Sequence, residues 1–140
     1  MSAIFLVSCV ASKLGRPAAA RDLYVSSLFR KARAYVERTG SPWFVLSAEH
    51  GLLLPGQVVS PYEKTLNTMP IAARKAWADQ VLAALEPHLA GVDRVVFLAG
   101  HRYREFLEAP LRRRVQVEVP MIGLGIGKQL QWLTQHATRP

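Results

Sequence analysis

The sequence predicts an α/β fold: a single domain, residues 1–140, in three layers (α/β/α) around a mainly parallel four-stranded sheet. Three observations predict it. Short, wholly apolar segments alternate with longer ones whose apolar residues recur every three or four positions, which implies parallel strands covered by helices on both faces. The length of 140 residues suits one domain rather than two and is enough to bury a core. Half of the residues are hydrophobic and the mean hydropathy is +0.10, so the chain can bury enough apolar surface to order itself.

The elements follow in order. Ala3–Ser8 is a short, wholly apolar strand, and residues 10–25 are mixed and polar, with Gly15 and Pro17. From Ser26 the pattern turns helical, through Leu28, Ala32, Tyr35 and Val36. Ser26 or Ser27 is the natural N-cap and Gly40 the stop. Trp43-Phe44-Val45-Leu46 is a second buried strand. Residues 47–69 read as a long connection without periodicity, and a loop of that length in a compact domain is usually functional. A second helix is expected from Ile71 to about Leu89, with Pro70 suited to its first turn. Arg94–Ala99 is the third strand, Arg102 to Glu108 a short helix stopped by Pro110, and Val115–Val119 a fourth strand. Its alternation of Val with Gln and Glu suits a sheet edge. Gly127 to Gln135 is the closing helix.

The charge is strongly basic: 18 Lys and Arg against 10 Asp and Glu, a net +8, with a pI near 10.3. Residues 1–38 carry +5 and residues 101–114 carry +3, whereas residues 39–100 carry −1. Such clustering favours a polyanionic partner, nucleic acid above all, through phosphate neutralisation. Cys9 is the only cysteine, which excludes an internal disulfide and a multi-cysteine zinc site. No apolar run approaches the ~18–20 residues that span a bilayer, and Met-Ser-Ala leads into Ile4-Phe5-Leu6-Val7 without a basic leader or processing site. A cytoplasmic location, no membrane partner, no metal and no cofactor are the expectations.

In open α/β sheets ligands bind beyond the carboxyl ends of the strands, near a topological switch point. The polar and glycine residues of this sequence concentrate there. Ser8, Cys9, Ser12 and Lys13 follow the first strand, and Ser47, Glu49, His50 and Gly51 the second. His101, Arg102 and Tyr103 follow the third, and Gly123, Gly125 and Gly127 the fourth. Glu49 with His50, and His101 after its own strand, are the candidate general acids and bases, because imidazole and carboxylate are the usual groups for that work near neutral pH. The commoner role of a lone Glu-His pair is structural, as a helix cap or a hydrogen-bonded loop anchor. Neither histidine stands at a zinc-site spacing.

The run Gly123-Leu-Gly125-Ile-Gly127 precedes a helix and would admit a phosphate or carboxylate, or serve only as a tight turn. It is neither a dinucleotide fingerprint nor a Walker loop, since Gly127-Lys128 is followed by Gln129. Cys9 is a candidate thiolate if Lys13 or a histidine lies near, or a plain buried cysteine. No Gly-x-Ser-x-Gly elbow exists, which disfavours a serine hydrolase. Arg30, Arg33 and Arg38 on the first helix and Arg112-Arg113-Arg114 in a loop are candidate phosphate contacts, together with Arg21. Of the aromatic residues, Tyr24, Tyr62 and Tyr103 have polar or loop-like neighbours and are the expected base-stacking faces.

The string Ser8-Cys9…Lys13…Ala20-Arg21-Asp22-Leu23-Tyr24-x-Ser26-x-Leu28-Phe29-Arg30-Lys31-x-Arg33-x-Tyr35 resembles a small bacterial and phage family known as a domain of unknown function (DUF6884). So do Leu46-Ser47-Ala48-x-His50-Gly51-Leu52-Leu53-x-Pro55, Pro61-Tyr62-x-Lys64-Thr65-Leu66, Gly100-x-x-Tyr103 and Gly123-x-x-Ile126-Gly127. The pattern from Gly51 to Tyr62 is more distantly similar to the YaaA peroxide-stress proteins, whose resemblance implies DNA binding. Their following Arg-Leu-Glu is replaced here by Glu63-Lys64-Thr65. By architecture alone the layout is similar to the uracil-DNA glycosylase superfamily, although that group's acidic loop after the first strand is absent.

Two functions are therefore expected. One is an enzyme acting on a nucleobase or nucleotide by breaking an N-glycosidic bond, on a base extruded from its strand. In it Glu49 or His50 orients water, His101 or Arg102 stabilises the departing base or a phosphate, Tyr62 stacks, and Lys13, Arg21 and Arg30 hold phosphates. Ser8, Cys9, Ser47, Lys64, Gly125 and Gly127 complete the expected substrate contacts. The other is a non-catalytic DNA- or RNA-binding module of stress or phage biology, using the same rim. A third reading leaves the basic faces as aids to solubility only.

Overall fold

The structure, a computed structural model, describes residues 2–8 and 13–137. In chain order the elements are β1 (Ala3–Ser8), β2 (Ala18–Ala19), α1 (Ala20–Leu23), α2 (Ser27–Thr39), β3 (Trp43–Ser47), β4 (Gly51–Leu53) and β5 (Val58–Val59). They continue with α3 (Ile71–Leu85), β6 (Arg94–Leu98), α4 (His101–Arg104), α5 (Glu108–Arg112), β7 (Gln116–Glu118) and α6 (Ile126–Ala137). Short 3-10 turns cover Leu66–Thr68 and Glu86–His88.

The main sheet has five strands in the order β4-β3-β1-β6-β7. β1 lies at its centre, parallel to β3 on one side and to β6 on the other, with Phe5 opposite both Trp43 and Val96. β7 extends the sheet in parallel beyond β6, and β4 returns antiparallel on β3 at the opposite edge. Because side chains alternate across a strand, β1 feeds two cores. Ile4 and Leu6 join Phe44, Leu46, Val95 and Phe97 beneath α3, α4 and α5, where Trp77, Val81, Leu85 and Leu107 pack. Phe5 and Val7 join Trp43, Val45, Val96 and Leu98 beneath α2 and α6, where Phe29, Ala32, Val36 and Leu133 pack. The expected three-layer α/β architecture is thus present.

The expected sheet of four strands gains a fifth. The long connection over 47–69 begins as a hairpin: Ala48, Glu49 and His50 form the turn and Gly51 opens β4 in the left-handed conformation (φ 74°). A short loop containing glycine is a common hairpin connection. Further on, β5 pairs antiparallel with β2, Ala18 opposite Val59. Ala20 N–H donates to the Gln57 carbonyl and Arg21 N–H to that of Pro55, at 2.8 and 2.9 Å. The connection is therefore strapped to the segment after β1.

The second helix ends at Leu85, four residues short of the expected limit, and its last residues before β6 pass through the 3-10 turn that contains Pro87. The short helix after β6 is two, α4 and α5. Pro110 lies inside α5, in the first turn, where a missing N–H leaves no helical bond unmade. β7 does form the sheet edge, over three residues.

The chain moves outward from β1 to β3 and β4, then crosses to β6 and β7 on the far side of β1. The reversal falls between β1 and β6, the place where a doubly wound sheet opens a crevice at its carboxyl end.

α2 is held as its sequence implies. The Ser26 hydroxyl accepts from Phe29 N–H at 3.2 Å, and Gly40 closes the helix at φ 75°. Ser26→Ala should therefore lower stability by about 1 kcal/mol. Gly40→Ala, at a position that disfavours a Cβ, should lower it by roughly 1–2 kcal/mol. Both are read as a lower denaturant midpoint with an unchanged m-value.

Candidate functional site

A cavity of about 1100 Å³ opens at this switch point. Three stretches wall it: Ser8 with Lys13–Gly15 beyond β1, the loop from Pro61 to Asn67, and Gly100–Tyr103 where β6 passes into α4. Lys13, Lys64, Arg102 and His101 bring basic groups to it from all three, and Glu63 is the one carboxylate among these walls.

The loop wall is fixed by Tyr62. Ser47 Oγ donates to its hydroxyl at 2.8 Å, and the Tyr24 hydroxyl lies 2.7 Å away. Ser47 is fully buried. Its hydroxyl also accepts from His50 N–H at 3.0 Å, and its carbonyl accepts the Trp77 indole N–H at 2.8 Å. Lys13 lies on the same framework: its residue bridges to Tyr24 through the backbone, and its ammonium stands 4.5 Å over the Tyr62 ring. An ammonium over an aromatic face gains about 0.5–1 kcal/mol at a partly exposed site. One face of Tyr62 thus holds a cation at the cavity.

The α4 wall is fixed by Glu105. Its Oε1 accepts from Arg74 Nε at 2.6 Å, while Arg102 Nη1 and His101 Nε2 lie 3.4 and 3.6 Å from Oε2. Arg74 also donates to the Met69 carbonyl, just beyond the loop wall. This nearly buried pair therefore ties the end of one wall to the base of the other. Burial alone would push the Glu105 carboxyl up; the hydrogen bond and charge of Arg74, with Arg102 and His101, outweigh it and hold the group below its ordinary value.

The expected site residues separate accordingly. Ser8, Lys13, Tyr62, Lys64, His101 and Arg102 come together at the cavity. Ser47 supports it from beneath. Glu49 and His50 stand exposed on the hairpin turn, outside these walls, and His50 meets the site's framework through its backbone N–H on Ser47 and an edge-on contact of its ring with Tyr62 at 5.4 Å. Gly125 and Gly127 flank the start of α6. Gly123 instead lines a smaller neighbouring cavity of about 180 Å³ that shares Gly100 and His101 with the first. Cys9 and Ser12 lie outside the described residues.

Two of the three expected stacking faces are corrected. Tyr24 is buried, tilted against Phe29, and Tyr103 is buried edge-on to Trp77. Their polar sequence neighbours concealed rings that serve the core.

The expected phosphate contacts are largely occupied by carboxylates. Arg33 binds Asp22 at 2.7 Å and Glu37 at 3.1 Å, and Arg21 lies 3.9 Å from Asp22. Burial lowers the Arg33 pKa, but its bonds and charge pairing to those acids outweigh that and raise it. Arg112 pairs with Glu108 at 2.9 Å and Arg114 with Glu86. Arg30 and Arg113 are exposed.

Sequence reasoning missed Glu63, Thr65 and Asn67 in the walls, and Glu105 behind them. Glu105 stands four residues after His101 and three after Arg102, a helical ion-pair spacing that was available as a signal. Among the described residues no group of three His, Cys, Asp or Glu side chains is placed to hold a metal ion, and no helix is long and apolar enough to cross a membrane.

Fold and site together define a small doubly wound α/β protein with a cation-lined crevice at its switch point. The chain belongs to a family of unknown function (DUF6884), whose profile matches residues 4–135. It is 30% identical over 122 residues to the uncharacterized protein YfjM of Bacillus subtilis (strain 168), a match covering 85% of this chain and 80% of that protein. No solved structure matches it.

The depressed Glu105 pKa has a defined sign. Its contribution to stability is complete above the unfolded carboxyl value and is lost as pH falls through the lower folded value. Glu105→Gln should destabilise the protein at neutral pH by about 2 kcal/mol. The difference from the wild type should shrink steadily as pH is lowered to about 3, read from urea midpoints across a pH series. A gap that stays constant with pH would remove Glu105 as the source.

Proposed function

We propose that this protein is nucleotide-directed, and that the switch-point cavity takes a nucleotide unit. The observation that carries the reading is the convergence of Lys13, Lys64 and Arg102, from three separate stretches of chain, on one cavity. Lysine and arginine are the ordinary partners of phosphate. The cavity volume exceeds what a single nucleotide needs, and Ser8, Thr65 and Asn67 add neutral hydrogen-bonding groups to its walls.

A hydrolytic reading is favoured by a second observation. A carboxylate, Glu63, and an imidazole, His101, belong to the walls of the same cavity. In N-glycosidic hydrolysis Glu63 takes a proton from water as its oxygen bonds to the sugar carbon. His101 protonates the departing base, and the products are a free base and a sugar with a new hydroxyl. The water-orienting role passes from Glu49 or His50 to Glu63, because the former pair lies on the hairpin turn, while His101 keeps its expected place at the departing base. The non-catalytic alternative uses the same cations for recognition alone.

Calorimetric titration with nucleoside 5′-monophosphates and a short single-stranded oligonucleotide, over a salt series, tests the reading. Lys64→Ala and Arg102→Ala should each weaken binding about tenfold or more. Absence of binding at low salt, or variants as tight as the wild type, would overturn it. For the hydrolytic reading, Glu63→Gln should retain binding and lose base release followed by mass spectrometry. No base released by the wild type leaves the recognition module.

A further inference from the structure

Resting on the nucleotide reading, we infer that the group this cavity selects is a terminal phosphate, a phosphomonoester dianion, rather than the repeating phosphodiester of a polymer. The first support is the charge at the walls. Lys13, Lys64 and Arg102 against Glu63 leave +2, His101 apart, the complement of one dianion. Glu105 does not change the count: it is shared by Arg102, 3.4 Å from one oxygen, and Arg74, 2.6 Å from the other, so this carboxylate and its two guanidiniums together still carry +1.

The second support is what the rest of the surface does with its arginines. Binding a strand takes a succession of phosphate contacts along the protein. Here six of the ten arginines of the two most basic segments are turned toward carboxylates: Arg21 and Arg33 toward Asp22, Arg104 and Arg112 toward Glu108, Arg114 toward Glu86 and, at the cavity, Arg102 toward Glu105, while Arg16, Arg30, Arg38 and Arg113 are exposed. Tyr24, which would have supplied a stacking face along such a track, is buried. The exposed Arg30 lies on α2 and Arg113 follows α5, on elements that contribute nothing to the cavity walls. Cations brought by three stretches of chain to one cavity, against arginine pairs scattered over the helices, favour an end over a chain.

The third is the position of Lys13. Its ammonium is held over a tyrosine ring whose hydroxyl is anchored by buried Ser47. A lysine so placed loses less side-chain freedom on meeting a ligand than one extended into solvent.

The test is competition calorimetry on the full chain with five ligands: a nucleoside 5′-monophosphate, its methyl ester, the parent nucleoside, a 5′-phosphorylated tetranucleotide and inorganic phosphate. The methyl ester keeps the size and removes one charge. The monophosphate should bind about tenfold or more tighter than the ester, and the gap should narrow in Lys64→Ala and Arg102→Ala. A tetranucleotide as tight as the monophosphate identifies the strand end as a second source of the same phosphate and supports the inference. A methyl ester equal to the monophosphate overturns it and leaves the nucleotide reading intact. Inorganic phosphate that binds while no nucleotide does would sink the nucleotide reading and keep the phosphate site. If no phosphate-bearing ligand binds, both fall. Thermal melting of each variant confirms that a loss of binding is not a loss of fold.

Discussion

The site rests on one buried hydroxyl. Ser47 ends β3 with no exposure to solvent, and a hydroxyl in that position is unfavourable by a few kcal/mol unless its bonds are made within the protein. They are made to three different places: the backbone of the hairpin turn, the Tyr62 hydroxyl, and, through the residue's own carbonyl, the Trp77 indole on α3. Ser47 thereby fixes where the chain turns into β4, where the loop from 61 to 67 approaches the sheet, and how α3 lies on it. The Tyr62 hydroxyl that accepts from Ser47 also shares a hydrogen bond with the Tyr24 hydroxyl, and Tyr24 belongs to the segment that carries Lys13. One wall of the cavity is thus a consequence of satisfying a single polar group in the core.

The opposite wall is built by charge. Arg74 and Glu105 are nearly buried and would be unfavourable apart. Their pairing joins the start of α3 to α4, and the second carboxylate oxygen is left to face Arg102 and His101. The two walls meet the same element from different sides: α3 carries Trp77, which reaches Ser47, and Arg74, which reaches Glu105. α3 is therefore the common support of a cavity it does not itself line.

What the sequence made legible followed from local physics. The apolar runs at β1, β3 and β6 have no alternative to burial, and Ser26 and Gly40 mark the ends of α2 by their own chemistry. β4 was not legible as a strand because it is three residues long and opens on glycine, so the Leu52–Leu54 run was absorbed into a loop. That one omission moved Glu49 and His50 from a hairpin turn to a supposed catalytic rim. Lys13, His101 and Arg102 are legible as neighbours because residues just beyond parallel strands meet at the sheet's carboxyl end, and the alternation of elements implies that sheet. Glu63 was passed over although its neighbours on both sides were chosen.

The arginines show the limit of reading charge along a chain. Net charge per segment registers how many basic groups lie near one another in sequence, but an ion pair is a matter of space. Arg33 with Glu37 and Arg104 with Glu108 are four residues apart and could be inferred from helical spacing. Arg114 with Glu86 and Arg74 with Glu105 join distant segments and could not. The exposed pairs among these, such as Arg114 with Glu86, add little stability, yet they occupy guanidiniums that a phosphate would need. A guanidinium held by a carboxylate must give up that partner before it meets a phosphate, so each pair lowers the gain from a phosphate contact there. The net charge of +8, concentrated in two segments of sequence, favours a polyanionic partner. The fold divides that charge between arginines paired along the helices and Lys13, Lys64 and Arg102 at the cavity where β1 and β6 part, with Arg102 itself 3.4 Å from Glu105.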